Sequence, residues 1–250
     1  MASLERDAVQ RILETSQVPK DAVLVVHSAI KGLSHQGYKA DRIVESMLDY
    51  LRDGTLLMPT MTWRTVTPEN PVFDELATPS HTGVLTEVFR TRYATHRSLH
   101  PTHSVAGVGP GAKALLHAHH LGNTPVPANS PYGLMRDYPA HILFIGVAFE
   151  MCTAIHHPEE VVAPDIYVKP MDEAEPYELH ARDGRIIPFL LRRHRRLDRD
   201  FNKFVEPLRA KGKLASGRIG DVPWICVAAR DLLRDVFAAF AITTDATLKS

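Results

Sequence analysis

His141-Ile-Leu-Phe-Ile-Gly-Val147, with Cys152-Thr-Ala-Ile-His-His-Pro-Glu-Glu160 close behind it, is the stretch that sets the fold. The first segment is short, apolar and preceded by a Pro/Asn/Gly-rich loop from Gly122 to Gly133, the pattern of a central strand buried on both faces. The second places polar residues just past that strand, where α/β proteins commonly hold reactive side chains. Ala22-Val-Leu-Val-Val26 reads as a second buried strand and delivers His27-Ser28 at its end. Between them, Ala40, Ile43, Val44, Met47, Leu48 and Leu51 recur at helical spacing, and Gly54 follows as a stop.

The rest of the chain repeats this alternation. Strands are expected over 55–61, 104–108 and 186–191. Ser80 precedes a helical pattern in Val84, Leu85, Val88 and Phe89, further helices are expected over 112–119, over 199–208 and over 232–240, and a long proline-rich loop spans 65–79. Strands alternating with helices predict an α/β fold, a single large domain over 1–250 with a central mixed sheet flanked by helices. No internal repeat or low-complexity tract interrupts it.

Composition narrows the function. The chain has 250 residues, 29 basic and 29 acidic, so its formal charge is zero and the overall basicity of many nucleic-acid binders is absent. The N-terminal apolar positions Leu4, Ala8, Val9, Ile12 and Leu13 form an interrupted helical stripe, not a signal-peptide core, and no run reaches membrane-spanning length. Cys152 and Cys226 are far apart in apolar company. A cytoplasmic protein with neither nucleic-acid nor membrane partner is expected.

His156 and Glu159 are three residues apart, which on a helix puts imidazole and carboxylate on one face, a pairing suited to general-base work. A surface pair or a satisfied core histidine is the plain alternative, and Pro158 complicates the helix. From Glu159 to Glu178 there are seven acids against the lone Lys169, a charge run that suits a polycationic small molecule or a solvated loop. Arg182 to Lys213 is the basic counterpart. His117-Ala-His119-His120, on an expected surface helix, lacks an acidic or cysteine partner nearby, so no metal site is assigned. Cys152 is a conceivable nucleophile, although buried cysteine is usually packing.

Several segments in order resemble the aminoglycoside 3-N-acetyltransferase family. They are Val26-His27-Ser28 with Gly32; Gly54-Thr-Leu-Leu-Met-Pro-Thr60; and Phe73-Asp74 followed by Thr78-Pro-Ser80, Gly83, Leu85, Glu87 and Phe89-Arg90. Arg97-Ser98-Leu99-His100-Pro101 with Ser104-Val105, then Ser130-Pro131-Tyr132-Gly133 and Thr153-Ala-Ile-His156-His-Pro-Glu159, complete the series. The resemblance implies acetyl transfer from acetyl-coenzyme A, as co-substrate, to an amine of an aminoglycoside-like or other small molecule. The implied fold is distinct from the common small acetyltransferase fold. By the same resemblance His156 is the candidate base, Glu159 its helper and Asp74 a holder of the amine. The resemblance likewise implies that His27, Ser28, Ala29, Ser98, Ser104 and Val105 line the coenzyme site. Ala29, Cys152 and Pro158 depart from the family's frequent choices, which keeps open a coenzyme A-binding protein with weak or lost catalysis. A homodimer is allowed for.

Overall fold

In the computed structural model, which describes residues 2–249 with side chains from Asp7 onward, ten strands form two sheets. They are β1 (Val23–Ser28), β2 (Thr55–Pro59), β3 (Val72–Asp74), β4 (His96–Arg97), β5 (Val105–Val108), β6 (Ala140–Ile145), β7 (Glu175–His180), β8 (Ile186–Leu191), β9 (Leu214–Ile219) and β10 (Val222–Ala228). The larger sheet runs β4-β5-β2-β1-β6-β10-β9. Its three central strands are parallel, with β1 pairing β2 (Val25 opposite Leu57) and β6 (Val25 opposite Ile142), while β5 and β10 flank them antiparallel. The mixed sheet expected from the sequence is therefore present.

Side-chain alternation splits the core. Val23, Val25, Ile142 and Phe144 face one side, and Leu24, Val26, Leu143 and Ile145 the other. The helices are α1 (Ala2–Thr15), α2 (Lys31–His35), α3 (Ala40–Tyr50), α4 (Val84–Arg92), α5 (Ala112–Leu116), α6 (Pro131–Leu134), α7 (His156–Val162), α8 (Pro164–Tyr167), α9 (Val205–Ala210) and α10 (Ala229–Phe240), of which α1, α3, α4 and α10 run longest. Ile43, Val44 and Met47 of α3 and Leu85 and Phe89 of α4 join the second layer, and Leu232, Leu233 and Val236 of α10 the first. Burying a single Leu, Ile or Phe in this way contributes about 1.5–3 kcal/mol. Val9, Ile12 and Leu13 of α1 are buried as their spacing predicts, whereas the side chain of Leu4 lies outside the described residues.

One feature was not expected. A second sheet, β3-β7-β8, packs its own small core around Phe73, Tyr177, Leu179 and Leu191. Its first strand lies within the stretch read as loop. The helical pattern expected after Ser80 is found as α4, which starts after Gly83, with Ser80 held in the preceding turn: its N–H donates to Glu87 at 2.9 Å and its hydroxyl lies 2.7 Å from Thr82.

Candidate active site

β1, β2 and β6 are parallel, so their C-terminal ends share one edge of the sheet, and the chain leaves β1 for neighbours on both sides. That switch of direction opens a crevice in doubly wound folds. His27 and Ser28 close β1 at this edge; the His27 ring stacks on Phe144 of β6, centroids 5.1 Å apart and 10° from parallel. Burial drives His27 down to about 4, so its imidazole is neutral. His27 Nε2 and Ser28 Oγ are buried without a partner, as are both ring nitrogens of His81 in the loop above. Ala29 is exposed, its N–H donating to Ile145 at 2.9 Å. Gly83, at φ +113°, brings the uncapped start of α4 next to the Ser28 carbonyl, where an added Cβ would sit 3.6 Å from the oxygen.

Ser98, Ser104 and Val105 lie behind that edge, fully buried. Ser104 Oγ donates to the Thr60 carbonyl at 2.8 Å and accepts from Arg97 Nε at 3.1 Å. Arg97 also donates to the Thr78 carbonyl at 2.6 Å and lies over the Phe73 ring, 4.8 Å from its centroid. Removal from water pulls the guanidinium down to about 9. Ser98 Oγ accepts from the Val105 N–H at 2.9 Å and meets His119 Nδ1 at 3.0 Å. The Arg-Ser-Leu-His-Pro segment thus joins the two sheets.

The strongest geometry is on α7. His156 begins this helix, with Pro158 in the first turn, where a missing N–H costs no helical bond. The helix therefore forms, and His156 Nδ1 stands 2.7 Å from Glu159 Oε2. Glu159 is completely buried and accepts also from Arg199 Nε at 3.0 and 3.1 Å and from Thr247 at 2.5 Å. Burial alone would raise its carboxyl, but His156 and Arg199 outweigh that and hold it at about 2. An ionised carboxylate only accepts, so Nδ1 carries a proton and donates to Glu159, which leaves Nε2 as the ring nitrogen facing outward. The His156 side chain is 19% exposed, and among the described residues no side chain occupies Nε2. An imidazole with an open Nε2 and a buried anion behind it is suited to exchange a proton with a ligand.

Asp74 stands apart, at the end of β3; its Oδ1 accepts from the N–H groups of Leu76 and Ala77 at 2.8 and 2.7 Å. No contact joins Asp74 to His156 among the described residues. The acidic run also disperses. Glu159 and Glu160 are buried, Glu175 binds Arg193 and Lys169, and Glu178 binds His180, leaving Asp165 exposed on α8 and Asp172 and Glu173 exposed on a short turn. Cys152 is buried and its thiol is pushed up to about 12, so it is no thiolate at neutral pH.

Arg199, Thr247 and His194 escaped the sequence reading because they come from segments up to 88 residues from Glu159. The histidine content, 14 in 250 residues, was the available signal. His119, expected on a surface helix, is buried, and rings run from His119 to His100 (4.5 Å), His103 (5.8 Å), His194 (5.7 Å) and His156 (4.4 Å). No three His, Cys, Asp or Glu side chains among the described residues are placed to hold a metal ion. No helix is long and apolar enough to cross a membrane. Surface cavities of about 310 and 420 Å³ lie elsewhere, the first bordered by Arg90, Arg97 and Arg182, the second by Arg11, Tyr38 and Trp224.

The family model for aminoglycoside 3-N-acetyltransferases matches residues 25–241. The chain belongs to this family. It is an N-acetyltransferase that uses acetyl-coenzyme A as co-substrate. Aminoglycoside N(3)-acetyltransferase III of Pseudomonas aeruginosa is 25% identical over 235 residues, covering 84% of each chain. Among solved structures, the apoenzyme of aminoglycoside acetyltransferase AAC(3)-IVa superposes with a TM-score of 0.77 at 20% identity, over 98% of this chain and 91% of its own. AAC-IIIb, solved as a binary complex with coenzyme A, gives 0.75 at 21% identity, over 93% and 94%. The fold of this acetyltransferase is thereby that of the family, a single α/β domain built on a large mixed sheet.

Proposed function

We propose that this acetyltransferase acetylates a small-molecule amine, with aminoglycosides the first class to test, by direct transfer with His156 as general base. The observation that carries the reading is the His156–Glu159 contact of 2.7 Å with Nε2 left open. An aliphatic amine is protonated at neutral pH and must first lose one proton, to solvent, to become a nucleophile. His156 Nε2 then takes a second proton as the nitrogen closes on the thioester carbonyl carbon. The C–N bond forms, the C–S bond breaks, and the proton passes from His156 to the departing thiolate sulfur. Glu159, already ionised, stabilises the imidazolium without being protonated itself. The buried thiol of Cys152 gives no acyl-enzyme route.

For the coenzyme, the parallel-strand edge offers unpartnered polar atoms at His27, Ser28 and His81 and the open N–H groups at the start of α4, which fit amides and pyrophosphate. Ala29 adds exposed backbone, and Ser98, Ser104 and Val105 support the edge from behind. Asp74 is assigned to the amine through Oδ2, its other oxygen being held by the turn.

The test is thiol release from acetyl-coenzyme A in the presence of an aminoglycoside panel, by the parent and by His156→Ala. A general base contributes ~10²–10⁴-fold, so kcat should fall by that order while coenzyme binding persists. Near-parental turnover by a folded, coenzyme-binding variant would overturn the assignment.

A further inference from the structure

Next to the base lies a second histidine–carboxylate pair. His194 packs its ring against His156, centroids 4.4 Å apart and planes 39° from parallel, and its Nε2 stands 2.6 Å from Glu160 Oε1. Glu160 is buried, with its other contacts from the Val126 N–H at 2.7 Å and the Thr124 hydroxyl at 2.5 Å. Glu159 and Glu160 are consecutive on α7 yet serve different rings.

We propose that Glu160, acting through His194, is a positioning residue and the second counter-charge of the base, so that the imidazolium formed on His156 during turnover is balanced by two interlocked His–Glu pairs. The proposal rests on His156 being the base.

The argument is one of charge. Glu159 carries one negative charge, but Arg199 sits on the same carboxylate at 3.0 Å and balances it. When His156 gains a proton, the group His156, Glu159 and Arg199 acquires a net positive charge in a largely buried place, which is costly unless an anion compensates. The other groups facing the pair cannot do so. From α7 there is His157; from the 100–103 segment His103, whose ring meets His194; from the 193–201 segment Arg193, Arg199 and the Phe201 edge. All are neutral or cationic. Glu160 is the carboxylate left, and it is poised to change charge. Burial raises it to about 7 against the pull of Thr124, Val126 and His156, so a positive charge arriving on His156 favours its ionisation. His194, held neutral by burial, is the ring through which the two are kept in register.

Two variants separate charge from packing. Glu160→Gln keeps the shape and hydrogen-bonding capacity but cannot ionise. His194→Gln keeps a donor for Glu160 but removes the ring from His156. The acid limb of kcat/KM against pH should move to lower pH in Glu160→Gln by about half a unit or more, since a less favoured imidazolium loses its proton sooner. His194→Gln should lower kcat at its own optimum at least as much as Glu160→Gln does, and the double variant should fall short of the product of the two losses. A structural role for Glu160 predicts lower thermal stability with an unmoved acid limb, and that outcome overturns the proposal. Loss of activity in His156→Ala together with an unmoved limb in Glu160→Gln rejects this inference and leaves the base assignment intact. A fully active His156→Ala rejects both.

Discussion

Glu159 shows how one side chain can serve catalysis and stability together. It is fully buried, with His156, Arg199 and Thr247 all donating to it. Glu159→Gln retains the shape and one acceptor oxygen, but leaves the Arg199 cation unbalanced beside His156. Both changes disfavour the imidazolium, so the acid limb of kcat/KM should shift to lower pH and kcat should fall by less than in His156→Ala. Stability should drop by roughly 1–3 kcal/mol, the cost of weakening a buried charged hydrogen-bond group. Denaturant titration and a pH–rate profile on the same preparation check both parts; an unshifted limb would separate Glu159 from the base.

Among the elements, α4 links signature to site. Glu87 holds Ser80 and forms a two-pronged pair with Arg90 at 2.8 and 2.6 Å, while Leu85 and Phe89 anchor the helix in the core. The Gly-x-Leu-x-Glu-x-Phe-Arg pattern therefore reads as the means of fixing the turn that brings Gly83 to Ser28. At φ +113° a side chain is strained, and Gly83→Ala should reorient the first N–H groups of the helix. We expect coenzyme affinity to weaken by about tenfold, equivalent to about 1.4 kcal/mol, with kcat at saturation little changed. Unaltered affinity in calorimetric titration would place the coenzyme away from this turn. Other elements were legible to different degrees. The helix predicted over 40–51 is found at Ala40–Tyr50 because its apolar period is regular. β7 was missed although Tyr177 and Leu179 alternate with Pro176 and Glu178, because its acids made the stretch read as a charge run. β10 carries Pro223 and pairs with β9 through Gly217, both residues that weaken a strand signal.

The whole molecule is tuned to neutral pH by its buried imidazoles. Burial lowers His27 and His119 to about 4 and takes His100, His103 and His194 well below their ordinary range. Each binds a proton more readily when unfolded, so its contribution is complete above the unfolded value near 6.5 and is lost as pH falls below it. Glu160 acts oppositely, since its carboxyl is raised to about 7 and the stability it contributes diminishes as pH rises from about 4.5 to 7. Five imidazoles outweigh one carboxyl. Stability should therefore fall steeply between pH 6.5 and 4, by about 1.4 kcal/mol per pH unit for each extra proton the unfolded chain binds. Glu159 adds a later loss between its unfolded value near 4.5 and about 2. Thermal unfolding from pH 4.5 to 8 measures the slope; a flat Tm below pH 6.5 would show that these rings are not held neutral in the fold.

The alternating pattern of strands and helices was readable because apolar periodicity is local: it identified β1, β6, α3 and α10, and the His156-x-x-Glu159 spacing brought the candidate base and its carboxylate together within one helix. Pro158 did not prevent this, since the first helical turn has no bond for it to break. What only the tertiary structure decided is everything that meets across the sheet. Whether His27 is neutral, whether Glu159 is ionised and whether Glu160 is poised depend on desolvation, on the charge of Arg199 and on hydrogen bonds from His194 and Thr124, which reach α7 from other parts of the chain. Those quantities belong to distances in space, and spacing along the chain does not encode them.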